Sequence, residues 1–439
     1  MREFTFRRGI SFSTRKSPNI RSSLVRSPLP EKVVLPLVQN TGIPNEPLVK
    51  KGEEVEEGQI IGKSEDFASS PAHSTVNGTV EDIQKEPHPD LGPILSVIIR
   101  REKSIKARSY EEIDVTGVPS EAIIQKIRDA GITGTGLPAH VKLSMARDKE
   151  IRTLFINGTE CEPFIDSGHF LMIMKAEEIL KGILIVMRIV CAGNVCITID
   201  ADKKDVYLAF EEMIKNSKDP AVRKMRLALL GTKYPYGEEK MIIKTVLGCE
   251  VPPGKPLMDM GFFVMSAGTV YAIYEAVHLN KPLIERIVTI TGDCLKSPAN
   301  YLVRIGTTVK EMIERYGLEF CKEPEKIIMG GPMMGVAQSN REVPVVKNTT
   351  GVIFLSRDAA RTYEEKECIR CAKCVDVCPV RLSPTEIMKS VKASCWSRVK
   401  DLWASDCVEC GACAYVCPAR IPLVQYLKMG KTTLKRIKK

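Results

Sequence analysis

The chain has 439 residues, of which 44% are hydrophobic and 27% charged, and its formal net charge is +10; at roughly 150 residues per domain it should hold about three. The opening MREFTFRRGISFSTRK lacks the apolar core of a secretory signal. The apolar run 179–199 is broken by Lys181, Arg188 and Asn194, and 260–274 is short and rich in Gly and Ser, so both read as buried helix or strand and a membrane-spanning class is excluded. Basic residues crowd the two ends (Arg7, Arg8, Arg15, Lys16, Arg21, Arg26 and the tail KMGKTTLKRIKK), but no aromatic or base-reading motif accompanies them, so the ends read as solvated tails and not as a nucleic-acid interface.

In chain order, residues 33–100 alternate short apolar and polar runs between Gly and Pro. LVKKGEEVEEGQIIGKS followed by STVNGTVEDI resembles the two halves of a lipoyl- or biotinyl-type barrel-sandwich. The hairpin tip reads EDFASSPAH, with Phe67 near the place of the modified lysine of such domains. A structural or docking role is therefore expected, and no swinging arm. From residue 119 the pattern changes. SEAIIQKIRDAGI predicts a helix capped by Ser120 and stopped by Gly131. The strand RTLFINGTECEPF, a helix to about 190, the strand VCITIDA and a helix over 203–216 follow. This alternation argues for an α/β layer on a largely parallel sheet. Gly134 and Gly136 form a G-x-G that, alone, is better explained by an ordinary tight turn than by a nucleotide. Met329, Met333 and Met334 in a Gly-rich turn read as packing residues.

The C-terminal part carries the sharpest signal. Of fifteen cysteines, nine lie between Cys368 and Cys417. Eight form two copies of C-x-x-C-x-x-C-x-x-x-C-P: Cys368, Cys371, Cys374, Cys378 before Pro379, and Cys407, Cys410, Cys413, Cys417 before Pro418. Three close thiolates can take three corners of a [4Fe–4S] cubane, and in two-cluster proteins the fourth ligates the other cluster. The expected sets are Cys368, Cys371, Cys374 and Cys417 for cluster one, and Cys407, Cys410, Cys413 and Cys378 for cluster two. Two zinc sites are the competing reading, but zinc needs no duplicated terminal Cys-Pro. Cys395 fits neither copy and is expected to be buried. The stretch SPTEIMKSVKASCWSRVKDLWA between the copies is expected to be helical.

NGTECEP (157–163), YPYGEEK (234–240), EVPPGKPLMDMG (250–261), VTITGDCLKSPANYLVRIGT (288–307) and IIMGGPMMG (327–335), in this order ahead of the dicluster motif, resemble the RnfC component of Rnf-type ferredoxin–NAD oxidoreductases over essentially the whole chain. The centre is similar to the NADH-oxidising flavoprotein of complex I. The resemblance implies a multidomain α/β plus β architecture: a barrel-sandwich hybrid (1–110), a Rossmann-like FMN/NADH domain (111–283), a soluble-ligand-binding (SLBB) β-grasp (284–350) and an α-helical dicluster ferredoxin domain (351–439). It implies FMN, NADH as substrate, and electron exit through the clusters. Asn157, Glu160 and Glu162 match the family's acidic loop at the flavin ring and NADH ribose, with Cys161 where the complex I relative has serine. Gly237, Glu238 and Glu239 match a second loop at flavin and nicotinamide. Lys142 matches a lysine near the FMN phosphate, and Thr269 a threonine of the phosphate-binding turn with Ser266 beside it; Gly134 and Gly136 fall in the glycine-rich loop of the family.

The chain also departs from that pattern. GTGLPAHVKL (134–143) is about three residues shorter than the family's glycine-rich loop, Leu137 stands near its Phe, and RRGISF replaces a Gly-Gly-x-His-Pro opening. These departures suit a divergent paralogue. They keep open a flavin-free iron–sulfur relay with a degenerate nucleotide site. The implied partners are other Rnf-type subunits, a ferredoxin, or a soluble reductase such as a methylenetetrahydrofolate or cobalamin reductase. The implied location is cytoplasmic or peripheral at the inner face of the membrane.

Overall fold

The computed structural model describes residues 3–11, 24–40, 42–105, 108–134 and 136–437. Arg15, Lys16, Arg21, Thr135 and the last two lysines of the basic tail lie outside the described residues. No helix among the described residues is long and apolar enough to cross a membrane.

Two small antiparallel sheets make the barrel-sandwich. One runs Lys32–Pro36, Ile94–Arg101, Gly78–Glu86, Glu54–Val55; the other runs Glu46–Pro47, Ile60–Lys63, Ala72–His73. Val33, Leu35, Val55, Ile61, Val80, Val97 and Ile99 fill the space between them. The tip with Phe67 docks on the next domain: the Phe67 carbonyl meets His140 Nε2 at 2.7 Å, and Arg128 lies over its ring at 5.4 Å.

The α/β domain is built on five parallel strands in the order Glu3–Phe4, Arg226–Leu230, Asn194–Asp200, Thr153–Asn157, Phe262–Ser266. Strands covered on both faces read as continuous apolar runs, and the two longest apolar stretches of the chain fall here. The first becomes the helix Ala176–Val190 and its following strand, the second the strand Phe262–Ser266 and the helix Ala267–His278. The first helix of the domain, Ser120–Asp129, starts differently from expectation. Pro119, with extended backbone, holds the cap position, Ser120 is already helical, and no side chain caps the turn. Gly131 ends the helix with φ +67°.

The β-grasp sheet has six strands, in the order Val336–Gln338, Lys326–Met329, Gly351–Leu355, Glu285–Thr291, Ala299–Arg304, Leu24–Arg26. Two of these lie outside 284–350: an edge strand comes from the N-terminal segment and a central one from residues past 350.

The C-terminal domain is a set of short helices around the cysteines. The inter-copy stretch is helical but broken, as Pro384–Lys392 and Trp396–Asp401, with Ser394 at φ +53° in the break. Cys395 lies in that break and is exposed, because the turn between the helices faces solvent. Neither basic end is a free tail within the described residues. Leu423–Ile437 is a helix that buries Leu423, Leu427 and Leu434, whose spacing puts them on one face. The N-terminal residues form the edge strand of the parallel sheet.

Candidate flavin crevice and cysteine sites

Along the parallel sheet the chain steps outward from Thr153–Asn157 to its neighbours on one side, then returns to place Phe262–Ser266 on the other. That reversal opens a crevice at the carboxyl ends of these two strands, the usual ligand position in such sheets. Asn157 and Ser266 stand opposite each other at its floor. Ser266 caps the helix Ala267–His278: its Oγ accepts from Thr269 N at 3.1 Å and lies 2.9 Å from Thr269 Oγ1. A helix N-terminus presents unpaired N–H groups to an anion. The loop with Gly134 and Gly136 faces this turn; a Cβ on Gly134 would lie 3.4 Å from Thr269 Oγ1, and Gly136, at φ +83°, has open space beside it.

The two acidic loops meet as the sequence suggests. Asn157 Nδ2 donates to the Gly237 carbonyl at 2.8 Å. Gly237 has no room for a side chain, because a Cβ would come 2.7 Å from Thr159 Oγ1 and 3.3 Å from Cys161 Sγ. Glu238 caps the helix Glu239–Leu247 through Met241 N at 3.1 Å, and burial pushes its carboxyl up to about 7. Lys142 Nζ bonds Glu239 Oε1 at 2.9 Å.

Two of the matched residues also bond to other parts of the fold. Glu160 accepts from Gly168 N at 2.7 Å and His169 N at 3.1 Å, capping the helix Ser167–Met174, and from Lys203 Nζ at 3.2 Å. Lys203 is fully buried, and Asp200 (2.9 Å) and Asp166 (3.8 Å) complete its surroundings. Burial alone would depress the Lys203 amine, but Asp200, Glu160 and Asp166 outweigh it and hold the amine above its ordinary value. Glu162 reaches the β-grasp turn, where its Oε2 accepts from Met333 N at 2.9 Å and packs against Gly331. Its Oε1 is buried without a hydrogen-bond partner, and burial pushes the carboxyl up to about 7. Met329 is buried, and Met333 packs against the Tyr234–Cys410 contact described below. Met334 is exposed.

In the C-terminal domain the fourth cysteine of each copy lies with the triad of the other. Cys368, Cys371, Cys374 and Cys417 line one cavity together with Arg370, Thr385 and Lys389. Cys378 lies close enough to Cys407, Cys410 and Cys413 to act electrostatically on all three. Burial pushes the Cys407 thiol up to about 11 and the Cys410 thiol to about 12.

The crevice and the second cysteine set touch. Tyr234, 2% exposed, donates its hydroxyl to the Cys410 carbonyl at 2.6 Å, packed with Ile10, Ala412, Cys161 and Met333. The loop that carries Gly237, Glu238 and Glu239 thus begins on the loop of the second cysteine set.

Among known proteins, the RnfC component of the proton-translocating ferredoxin:NAD(+) oxidoreductase complex of Clostridium ljungdahlii is 36% identical over 391 residues, covering 87% of this chain and 83% of the relative. The chain belongs to the RnfC family. The corresponding component of the Na(+)-translocating ferredoxin:NAD(+) oxidoreductase complex of Acetobacterium woodii is 36% identical over 412 residues (92% and 90%). That of the ion-translocating oxidoreductase complex of Rhodobacter capsulatus is 35% identical over 401 (90% and 76%). Four domain families match this RnfC chain: the RnfC barrel sandwich hybrid domain over 4–104, the Nuo51 FMN-binding domain over 124–275, the SLBB domain over 287–337 and a 4Fe-4S dicluster domain over 367–422. The protein is therefore an electron-transfer subunit with FMN-binding and two-cluster domains. A chain of the NAD+-reducing [NiFe]-hydrogenase in the H2-reduced state shares the fold, with a TM-score of 0.50 at 15% identity. The match covers 74% of this RnfC chain and 62% of that one.

Several residues of the site carry no signature in an RnfC sequence read alone. Lys203 looks like any helix-start lysine, and Tyr234 is visible only as the first letter of YPYGEEK. Lys347, fully buried, donates to Pro71 O (2.7 Å) and Gly131 O (2.8 Å), joining barrel-sandwich and β-grasp to the foot of the glycine loop. Its two acceptors lie more than two hundred residues away in sequence.

Proposed function

We propose that this RnfC chain relays electrons between NADH and a protein partner, in the order flavin crevice, cluster two, cluster one, partner. The observation that carries the order is the Tyr234–Cys410 hydrogen bond, which seats the second cysteine set directly against the crevice. The first set lies farther out, with Cys371 exposed.

The residues suit the groups. A helix N-terminus at Ser266 and the space beside Gly136 suit a flavin phosphate, and Glu162, whose Oε1 is buried without a hydrogen-bond partner, suits a polar ligand edge. Bound FMN would take a hydride as a pair and release electrons singly. Asn157 and Gly237 hold the two loops in register, Glu160 anchors the first loop to the sheet through Lys203, and Glu238 fixes the second as a helix cap. Lys142, Ser266 and Thr269 would hold the phosphate end. Cys368, Cys371, Cys374 and Cys417 would hold cluster one; Cys407, Cys410, Cys413 and Cys378 cluster two. The two thiol sets crossed between copies support cubanes over separate zinc sites.

The partner is the remainder of an Rnf-type complex at the inner face of a membrane, with a ferredoxin or a soluble reductase as the competing assembly. Co-purification from membrane and soluble fractions decides between them. The second reading, a flavin-free relay, draws on the ion pair between Lys142 and Glu239 and on the shortened loop. Anaerobically purified protein should carry about eight iron and eight sulfide per chain, bind FMN, and be bleached by NADH, with Glu162→Gln weakening that reduction. Zinc at the cysteines would refute the clusters. Iron-loaded protein that takes up no FMN would refute NADH oxidation and uphold the relay.

A further inference from the structure

The N-terminal residues 3–10 connect the flavin sheet to the second cluster. Glu3–Phe4 pairs in parallel with Leu229 and Leu230 at the sheet edge. Ile10 and Tyr234 exchange backbone hydrogen bonds of 3.0 and 2.9 Å, and Lys233 Nζ holds the Phe6 and Arg7 carbonyls at 3.0 and 2.6 Å. Between these anchors the chain reaches the cluster domain. Gly9 N donates to Val377 O at 3.0 Å, and Arg8 Nη1 donates to Val375 O at 3.0 Å. Val375 follows Cys374 and lines the cavity of the first cysteine set, while Val377 immediately precedes Cys378, so the clamp lies between the two sets and holds the turn into Cys378.

We propose that Arg8 is a positioning residue for cluster two, which fixes the turn that delivers Cys378 and places a fixed positive charge beside the cluster, raising its reduction potential. The inference rests on the crossed cluster assignment proposed above. Its physical basis is simple. Arg8 is half-buried, permanently charged and held at a carbonyl of the helical turn Lys373–Asp376, where backbone carbonyls gather negative potential and favour a cation. Cys378 is itself buried, so its surroundings screen that charge less than water would. An added electron makes a cluster more negative, so a neighbouring cation favours the reduced form. The crossed ligand explains why an N-terminal residue acts on the second copy: Cys378 belongs to the first copy in sequence and to the second in space.

The test is an EPR-monitored redox titration of the full chain, with cluster two identified by the signal that Cys378→Ser perturbs. In Arg8→Gln the ratio of reduced to oxidised cluster two, read at its wild-type midpoint, should fall about tenfold, a negative shift of about 59 mV for one electron. Cluster one should shift less than cluster two, and the iron and FMN content should stay unchanged. Arg8→Lys should keep most of the wild-type potential. Selective loss of cluster two from Arg8→Gln, with Arg8→Lys fully loaded, would also uphold the proposal. An iron-loaded Arg8→Gln with an unmoved potential would overturn it, as would equal shifts in both clusters, an Arg8→Lys shift as large as that of Gln, or loss of both clusters from both variants. Wild-type protein without iron would instead remove the underlying cluster assignment, and that is read before any substitution is made.

Discussion

Replacing Lys203 with Met tests whether the flavin loop is held by a buried ionic knot. The amine is 1% exposed and serves Asp200 at 2.9 Å, Glu160 at 3.2 Å and Asp166 at 3.8 Å, of which Asp200 and Asp166 are themselves fully buried. Removing one partner from a buried ionic set leaves uncompensated charge, at a cost of about 3–5 kcal/mol. For a domain of this size each kcal/mol lowers the melting midpoint by about 2–4 °C, so the flavin-domain transition should fall by roughly 6–20 °C. Because Glu160 also caps the helix Ser167–Met174, the loop should loosen, and FMN should be lost on desalting before the clusters are. Calorimetry with flavin and iron assays on the same samples reads all three. The pH dependence has a definite sign. The folded-state amine titrates above its ordinary value of 10.5, so its stabilisation is complete below that pH and fades only as pH rises beyond it. The gap between wild type and variant should stay flat from about pH 6 to about pH 9. A loss under about 1 kcal/mol, or a gap that opens within that window, would refute the account.

Lys347 has the opposite sign: burial pulls its amine down to about 7 from 10.5, so the unfolded chain binds more protons between these values. Wild-type stability should climb with pH across that window; Lys347→Met should flatten the climb, and a parallel slope in both proteins would contradict it. Tyr234→Phe leaves the buried Cys410 carbonyl without its donor, a cost of about 1–3 kcal/mol. In stopped-flow experiments NADH should still reduce flavin at the wild-type rate, while cluster reduction slows about tenfold, and an unaltered cluster phase would remove Tyr234 from the route. Cys378→Ser should disturb cluster two and leave the triad of Cys368, Cys371 and Cys374 loaded; damage limited to cluster one would undo the crossing.

The parts of this molecule legible in its sequence are those whose chemistry is local. Two cysteine repeats, the glycine of a loop contact at Gly237 and the apolar strands of a buried parallel sheet each carry their meaning within a dozen residues. Less legible are features set by distant partners. Glu160 and Glu162 sit two residues apart in one motif, yet one turns to Lys203 and the other to the β-grasp turn at Gly331–Met333. Cys395 reads as a core thiol, but a left-handed residue at Ser394 breaks the helix and turns it to solvent. The basic C-terminal segment reads as a tail because its charges mask Leu427 and Leu434, whose face packs on the cluster domain while Lys431 reaches the Cys407 carbonyl.

The edge strand Leu24–Arg26 pairs with Asn300–Leu302, roughly 275 residues downstream. On a ribosome adding about 5–20 residues per second, that strand waits on the order of 15–55 seconds for its neighbour to be synthesised. Leu24–Arg26 must stay unpaired while the barrel-sandwich and flavin domains form, although Glu3–Phe4 upstream of it can already join the flavin sheet. Translation speed should therefore set how long that strand stays without its neighbour.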